Sequence, residues 1–266
     1  MSLSRDDRDA VRADAARYLS DRGFVTPPFP VDLALQSEQL RLADISLEAA
    51  LRQVGLDPDE MKAVDAMLHV EGQLVVVRDD LHPQSKKWGA VHELSDFVLP
   101  AHRDLLFYCS LVELPYRVQK QLEMEADAFT SDLLFFGNRF KEEAFSSAIG
   151  MQVPIALASG AYAASLHSAL RRYVEESPIE CCLLVWKIEG DTDHPLALRY
   201  WVRSPSSKLT FRVRQKLSAN HAVCQAFTEL RRNPLYTVLP HNVTVGGRRM
   251  HAESFTNSYE VFTLCW

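Results

Sequence analysis

The residues best suited to chemistry lie in the segment Val91-His-Glu-Leu-Ser-Asp96, one residue away from the zinc-peptidase motif H-E-x-x-H. In that motif two histidines stand four residues apart, so both reach one metal ion from the same helix face. The glutamate between them polarises the metal-bound water and acts as general base. Here His92 and Asp96 keep the four-residue spacing, and Glu93 keeps the position of the base. The segment alone is a weak signal, because His-Glu pairs occur by chance in many helices.

A second helix supplies carboxylates at the same spacing. Glu123 and Asp127 stand four residues apart and therefore share a helix face. Many zinc peptidases use such a pair: the glutamate is the third ligand, and the aspartate accepts the other ring N–H of a ligating histidine. We therefore expect the tips of His92, Asp96 and Glu123 to converge.

Two further residues in the same segments are alternative metal ligands. His102 follows His92 by ten residues, the offset of the third histidine in another class of zinc peptidase, but Leu99 stands where that class has glycine. Glu125 is the alternative to Glu123 as third ligand. For Glu125 and for Asp132 we expect a solvated helix face.

The two segments together resemble the ImmA/IrrE family of metallopeptidases. Members of that family resemble A-H-E-L-G-H-x-x-L-P-x-H-R followed by E-x-E-A-N/D-x-F-A-x-x-L-L. The chain has V-H-E-L-S-D-F-V-L-P-A-H-R at 91–103 and E-M-E-A-D-A-F-T-S-D-L-L at 123–134. Weaker similarity at 28–32, 166–176 and 259–266 extends the resemblance over most of the chain.

The resemblance implies a gluzincin-like fold, one zinc ion and regulated cleavage of a partner protein. In this family the target is often a helix-turn-helix repressor, cut on a stress, phage or mobile-element signal. By position, His92 and Glu123 would be zinc ligands, Glu93 the catalytic base and Asp127 the residue that orients His92. Family members with a separate sensor half resemble a GAF-like fold in that half.

Asp96 departs from the family pattern. Carboxylates do bind zinc, but aspartate is shorter than histidine by roughly 2–3 Å of reach. A His/Asp/Glu set also neutralises Zn²⁺ formally, so the bound water is acidified less than with two histidines and one glutamate. The expected consequences are weaker zinc binding, slower hydrolysis or a different metal. The alternative function is therefore a degenerate, non-catalytic family member that acts as a protein-interaction or ligand-sensing module.

Hydrophobic periodicity predicts the elements around these residues, and an α+β fold class. Helices are predicted at 4–22, from 31, and at 86–99, 117–136 and 154–176, with a strand or strand pair at 70–77. After residue 177 the composition shifts to β-branched and aromatic residues. Strands are predicted at 181–186, 197–202, 209–213 and 261–266, with a helix at 218–232.

This order predicts a zincin-like peptidase domain over 1–138 and a helical connector over 139–177. A smaller β-rich, GAF-like sensor domain over 178–266 is expected to contain a mixed sheet and one main helix.

Composition narrows the function classes. Of 266 residues, 47% are hydrophobic and 24% charged, which excludes disordered, collagen-like and disulfide-scaffold chains. A net charge of −6 argues against a direct nucleic-acid contact. The charged start lacks the apolar core of a secretory signal, and the uncharged run 144–170 is too polar for a membrane span. Five cysteines without C-x-x-C predict reduced thiols in a cytoplasmic protein.

Overall fold

A computed structural model describes residues 3–43, 46–53, 64–102, 115–146, 149–212, 214–233, 238–245 and 247–266. The fold is α+β, as expected. The chain divides into two compact units, one of residues 1–140 with 159–165 and the other of residues 141–158 with 166–266. None of the helices within these described ranges is long and apolar enough to cross a membrane.

The helices are α1 (Arg5–Asp21), α2 (Val31–Ser37), α3 (Leu47–Gln53), α4 (Pro83–Val98), α5 (Tyr116–Leu134), α6 (Asn138–Ala144), α7 (Gln152–Ser159), α8 (Leu166–Glu175) and α9 (Ala222–Arg232). The strands are β1 (Arg41–Leu42), β2 (Ala66–His69), β3 (Leu74–Val77), β4 (Cys182–Ile188), β5 (Leu196–Arg203), β6 (Lys216–Leu217), β7 (Leu239–Val245), β8 (Arg248–Thr256) and β9 (Glu260–Cys265).

Helix α1 shows how local sequence sets a boundary in this chain. Its first turn is capped by the Ser4 side chain, which accepts the Asp7 N–H at 3.1 Å. The helix ends before Gly23, whose φ of 68° lies in the left-handed region that glycine adopts freely. The predicted apolar stripe is buried, and it consists of Val11, Ala15, Tyr18 and Leu19.

A small sheet supports α4 from one side. Of the two alternatives for 70–77, the structure has the single strand, β3, entered from a turn at residues 70–73. Its antiparallel partner β2 precedes that segment, and β1 pairs with β3 in parallel. Helix α4 packs on β2 and β3. Gly89 permits close approach, since a Cβ there would lie 3.1 Å from the Ala66 Cβ.

Helix α5 packs against α4 and α1. Between α4 and α5 the hydroxyls of Ser95 and Thr130 lie 2.9 Å apart in the core. On the α1 side, the Arg12 guanidinium lies 3.4 Å from Asp132, whose side chain is almost fully buried. The solvated position expected for Asp132 is therefore wrong, because a buried carboxylate there has a cationic partner across the helix interface.

The predicted helical region over 154–176 consists of two helices, α7 and α8, with an irregular segment between them. That segment, residues 160–165, includes Ala163 at a φ of 45°, which an α-helix does not tolerate. The Lys87 ammonium donates to the carbonyls of Tyr162 and Ala163 and holds the segment in the first unit. The Tyr162 ring is buried there against Phe135 and Phe140.

The second unit is built on a six-stranded sheet in the order β6-β5-β4-β9-β8-β7. Every pairing in it is antiparallel, so the mixed sheet that we expected is wrong. Neighbouring strands are mostly consecutive along the chain, and short connections force them to run in opposite directions. After residue 177 the described chain has one main helix, as expected: α9, which contacts β7 and β8. Helix α8, which precedes this region, contacts β4 and β5.

Local predictions in the second unit fail in three places. The described residues of 209–213 are not in a strand, and the edge strand is β6 instead. Helix α9 begins at Ala222, capped by His221, rather than at the predicted residue 218. The β7–β8 hairpin went unpredicted, although Gly-Gly between two alternating segments is a strong hairpin signal.

Candidate functional site

The contact between α4 and α5 brings the predicted site residues together. His92 Nε2 lies 3.4 Å from the Glu123 carboxylate and 3.7 Å from the Asp96 carboxylate. The other ring nitrogen, Nδ1, lies 3.3 Å from Asp127. One imidazole therefore faces two carboxylates with one nitrogen and a third carboxylate with the other. Glu123, rather than Glu125, points at His92.

This carboxylate cluster determines the charge of His92. Burial opposes protonation, but the hydrogen bonds to Asp127 and Glu123 and the charge of Asp96 outweigh it and raise the pKa of His92 to about 10. The same hydrogen bond lowers the pKa of Glu123. In this arrangement His92 is an imidazolium at neutral pH, and a metal ion would have to displace its Nε2 proton.

Glu93 faces the small sheet from the same helix. Burial raises its pKa to about 7, with the His92 charge opposing and the charges of Asp96 and Glu123 adding to the shift. The Leu68 N–H donates a hydrogen bond to it. A carboxyl whose pKa lies near neutrality has the property that a general base needs.

His102 contacts two carboxylates, those of Asp96 and Glu125. Its Nδ1 lies 2.7 Å from Asp96 Oδ1, its Nε2 lies 3.2 Å from Glu125 Oε2, and the ring is 2% exposed. Burial disfavours its charge, but the hydrogen bond and charge of Asp96, followed by those of Glu125, raise the pKa of His102. The solvated position expected for Glu125 is wrong, because His102 and the Gln121 amide, at 2.7 Å, hold its two oxygens.

The spacing of the donors is compatible with zinc in part. Two ligands on a tetrahedral zinc ion, each at about 2.0–2.1 Å, lie about 3.3–3.4 Å apart. The His92–Glu123 distance of 3.4 Å matches that value, and the His92–Asp96 distance of 3.7 Å is slightly longer. Among the described residues, however, no group of three or more His, Cys, Asp or Glu side chains is already placed to hold a metal ion. Metal binding at this cluster is therefore a proposal.

Gln121 and Thr130 also support the cluster, but the sequence gives no distinctive signal for either residue. Gln121 precedes Glu125 by four residues, a spacing that allows their hydrogen bond but is common in helices. Thr130 lies in the core of α5, where its hydroxyl meets Ser95 of α4. Only the packing of the two helices reveals that pairing.

Comparison with known proteins gives a likeness of fold. No protein-family model matches the chain, and no match is found among curated proteins. Among solved structures, the chain is similar to one named Mycobacterium tuberculosis transcriptional regulator, with a TM-score of 0.58 and 12% sequence identity. The match covers 98% of this chain and 80% of that one. At this identity, the two proteins share a fold.

Proposed function

We propose that this protein is a metal-dependent peptidase of the ImmA/IrrE type with a modified zinc site. One observation carries the proposal: His92 directs Nε2 toward the carboxylates of Asp96 and Glu123 while Asp127 takes Nδ1. A zinc-ligating histidine usually donates the N–H of its other ring nitrogen to a carboxylate or another acceptor, which orients the ring.

The roles of the side chains follow from this arrangement. His92, Asp96 and Glu123 would hold the ion, one nitrogen and two oxygens being donors that zinc accepts. When bound, the metal would supply a polarised, acidified water. Glu93, with its pKa near 7, takes up a proton from an attacking water and returns it to the leaving amine. Asp127 keeps a proton on Nδ1, so the metal would bind at Nε2 in exchange for the proton there.

The proposal extends to regulation. The substrate would be a partner protein such as a helix-turn-helix repressor, in the cytoplasm, and the antiparallel sheet of the second unit would serve as a GAF-like sensor. The shared fold with a protein named a transcriptional regulator supports a role in the control of gene expression.

Zinc affinity tests the site directly. We expect weak but measurable binding by wild type in a competition titration, loss of binding in His92→Ala, and binding about tenfold tighter in Asp96→His. Imidazole at position 96 restores reach and leaves one more positive charge on the ion. His194→Ala, an exposed histidine beside Asp191 in the second unit, is the matched control.

Peptidase activity is then measured on a fluorescently labelled unfolded protein. Glu93→Gln should keep zinc and lose cleavage by at least a hundredfold, because proton transfer contributes that much. If the wild-type protein binds zinc tightly and Asp96→His binds it more weakly, the idea that Asp96 weakens the zinc site is contradicted. If the wild-type protein binds zinc no more tightly than His92→Ala does, the proposal that this protein is a metallopeptidase is contradicted.

A non-catalytic regulator is the second candidate. It is favoured by Asp96, which stands in the place of the second histidine of the motif. Its test is complementation of a deletion strain, with the transcriptome as readout. A peptidase predicts that Glu93→Gln fails to restore wild-type transcript levels, and a non-catalytic regulator predicts that it restores them.

A further inference from the structure

We infer that His102 is a positioning residue that makes Asp96 able to act as a metal ligand in place of histidine. This inference rests on the proposed function. It assigns to His102 a role in holding a ligand, distinct from that of a ligand itself.

The geometry divides the two oxygens of Asp96 between two partners. Oδ1 lies 2.7 Å from His102 Nδ1, and Oδ2 faces His92 Nε2 at 3.7 Å. A carboxylate offers lone pairs on both oxygens, so a bond to Oδ1 leaves Oδ2 available. The His102 contact thereby fixes the rotation of the short side chain in the orientation that directs Oδ2 toward His92.

His102 is itself held from α5. Its Nε2 lies 3.2 Å from Glu125 Oε2, and the other oxygen of Glu125 accepts from the Gln121 amide at 2.7 Å. Gln121, Glu125, His102 and Asp96 thus form one chain of hydrogen bonds between α5 and α4. Because the His102 ring is buried and bonded at both nitrogens, it cannot turn without breaking one of these contacts.

This chain gives Asp96 the kind of support that Asp127 gives His92. Partners that orient metal ligands typically change metal affinity by 10–100-fold when they are removed. A bridge that only joined two helices would change the stability of the protein without changing how tightly the cluster binds an ion.

The test compares His102→Leu with His102→Asn. Leucine fills the buried space without a donor, and asparagine keeps an N–H donor close to the position of Nδ1. We expect His102→Leu to lower zinc affinity about tenfold or more in a competition titration, and His102→Asn to recover most of it. The visible absorption of added Co²⁺ should change in the leucine variant and return toward wild type in the asparagine variant. His194→Leu, which removes a histidine–aspartate contact elsewhere, should change neither.

The outcomes separate this inference from the proposed function. If wild type binds zinc and His102→Leu binds it equally well, the inference is overturned while the metal site stands. If wild type binds no better than His92→Ala, the proposed function fails and the inference with it. Should His102→Leu not fold, Glu125→Gln decides: weakening of the hold on His102 should lower zinc affinity, and an unchanged affinity would refute the role.

Discussion

Glu93 links the chemistry of the site to the stability of the protein. Burial raises its pKa from the ordinary value of 4.5 to about 7 in the folded chain. When the pKa of a carboxyl is higher in the folded than in the unfolded protein, ionisation of that carboxyl destabilises the folded state. The free energy of unfolding therefore falls as pH rises from about 4.5 through about 7, and the cost is fully present above that range.

Glu93→Gln should therefore stabilise the metal-free protein at pH 8 and change little at pH 4. Glutamine has nearly the same shape and carries no buried charge, so we expect a gain on the order of 1–3 kcal/mol at pH 8. Urea unfolding in the presence of a chelator at the two pH values measures it. The exposed Glu142→Gln is the control, and an equal effect of Glu93→Gln at both pH values would contradict the role of burial.

His92 gives a second prediction, which concerns the pH dependence of zinc affinity rather than that of stability. Its pKa of about 10 means that zinc must displace a proton from Nε2 at any pH below that value. We expect wild-type zinc affinity to increase about tenfold per pH unit between pH 7 and 9, which corresponds to the release of one proton. Competition titrations at several pH values measure the slope, and a flat profile would show that His92 is not charged in the metal-free protein.

At the scale of elements, amphipathic helices were the predictable part of the fold. The stripes of α1, α4 and α5 follow helical spacing and are largely buried, so the sequence located the helices that position the site. It also predicted the convergence of His92, Asp96 and Glu123. The Asp96–His102 contact could not be predicted, because it depends on how the chain turns back after α4.

Elements without their own periodicity were harder to predict. The break between α7 and α8 depends on contacts of residues 160–165 with the first unit. The six-stranded sheet is buried on both faces along β4 and β9, so neither strand shows the alternation that would assign its faces. The helix α8 that covers part of it lies before the point where composition changes.

The packing of α4 on β2 depends on Gly89, and substitutions there test it. A Cβ at this position would lie 3.1 Å from Ala66 and 3.7 Å from Val77. Gly89→Val should destabilise the protein by about 1–3 kcal/mol, because the helix would have to move away from the strand. Gly89→Ala should be close to neutral, since the helix propensity of alanine, worth about 1 kcal/mol, offsets a small displacement. Thermal unfolding measures both, and equal stability of Gly89→Val and wild type would contradict the close approach.

At the scale of the whole molecule, the two units are not continuous in sequence: residues 141–158 belong to the second unit, residues 159–165 to the first and residues 166–266 to the second. Helices α7 and α8 therefore belong with the sheet, although they precede the change in composition after Ser177. Tyr173 of α8 is fully buried and stacks on Phe145 at 4.8 Å, and the His167 ring contacts Phe262 of β9 at 4.7 Å. In addition, the Glu253 carboxylate of β8 accepts a hydrogen bond from the Met151 backbone N–H at 2.7 Å.

These contacts predict that a fragment of residues 178–266 does not fold, whereas a fragment of residues 141–266 does. The shorter fragment would expose Leu183, Val185 and Phe262, all fully buried in the intact chain, on the sheet face that α8 contacts. Each large apolar side chain moved from the core into water costs about 1.5–3 kcal/mol, so three such residues remove much of the 5–15 kcal/mol that stabilises a typical domain. Near-ultraviolet circular dichroism and urea unfolding followed by tryptophan fluorescence distinguish the two fragments, since Trp186, Trp201 and Trp266 are present in both. We expect a cooperative transition only for the longer fragment, and an equally cooperative transition for residues 178–266 would show that the sheet is an independent domain without α8.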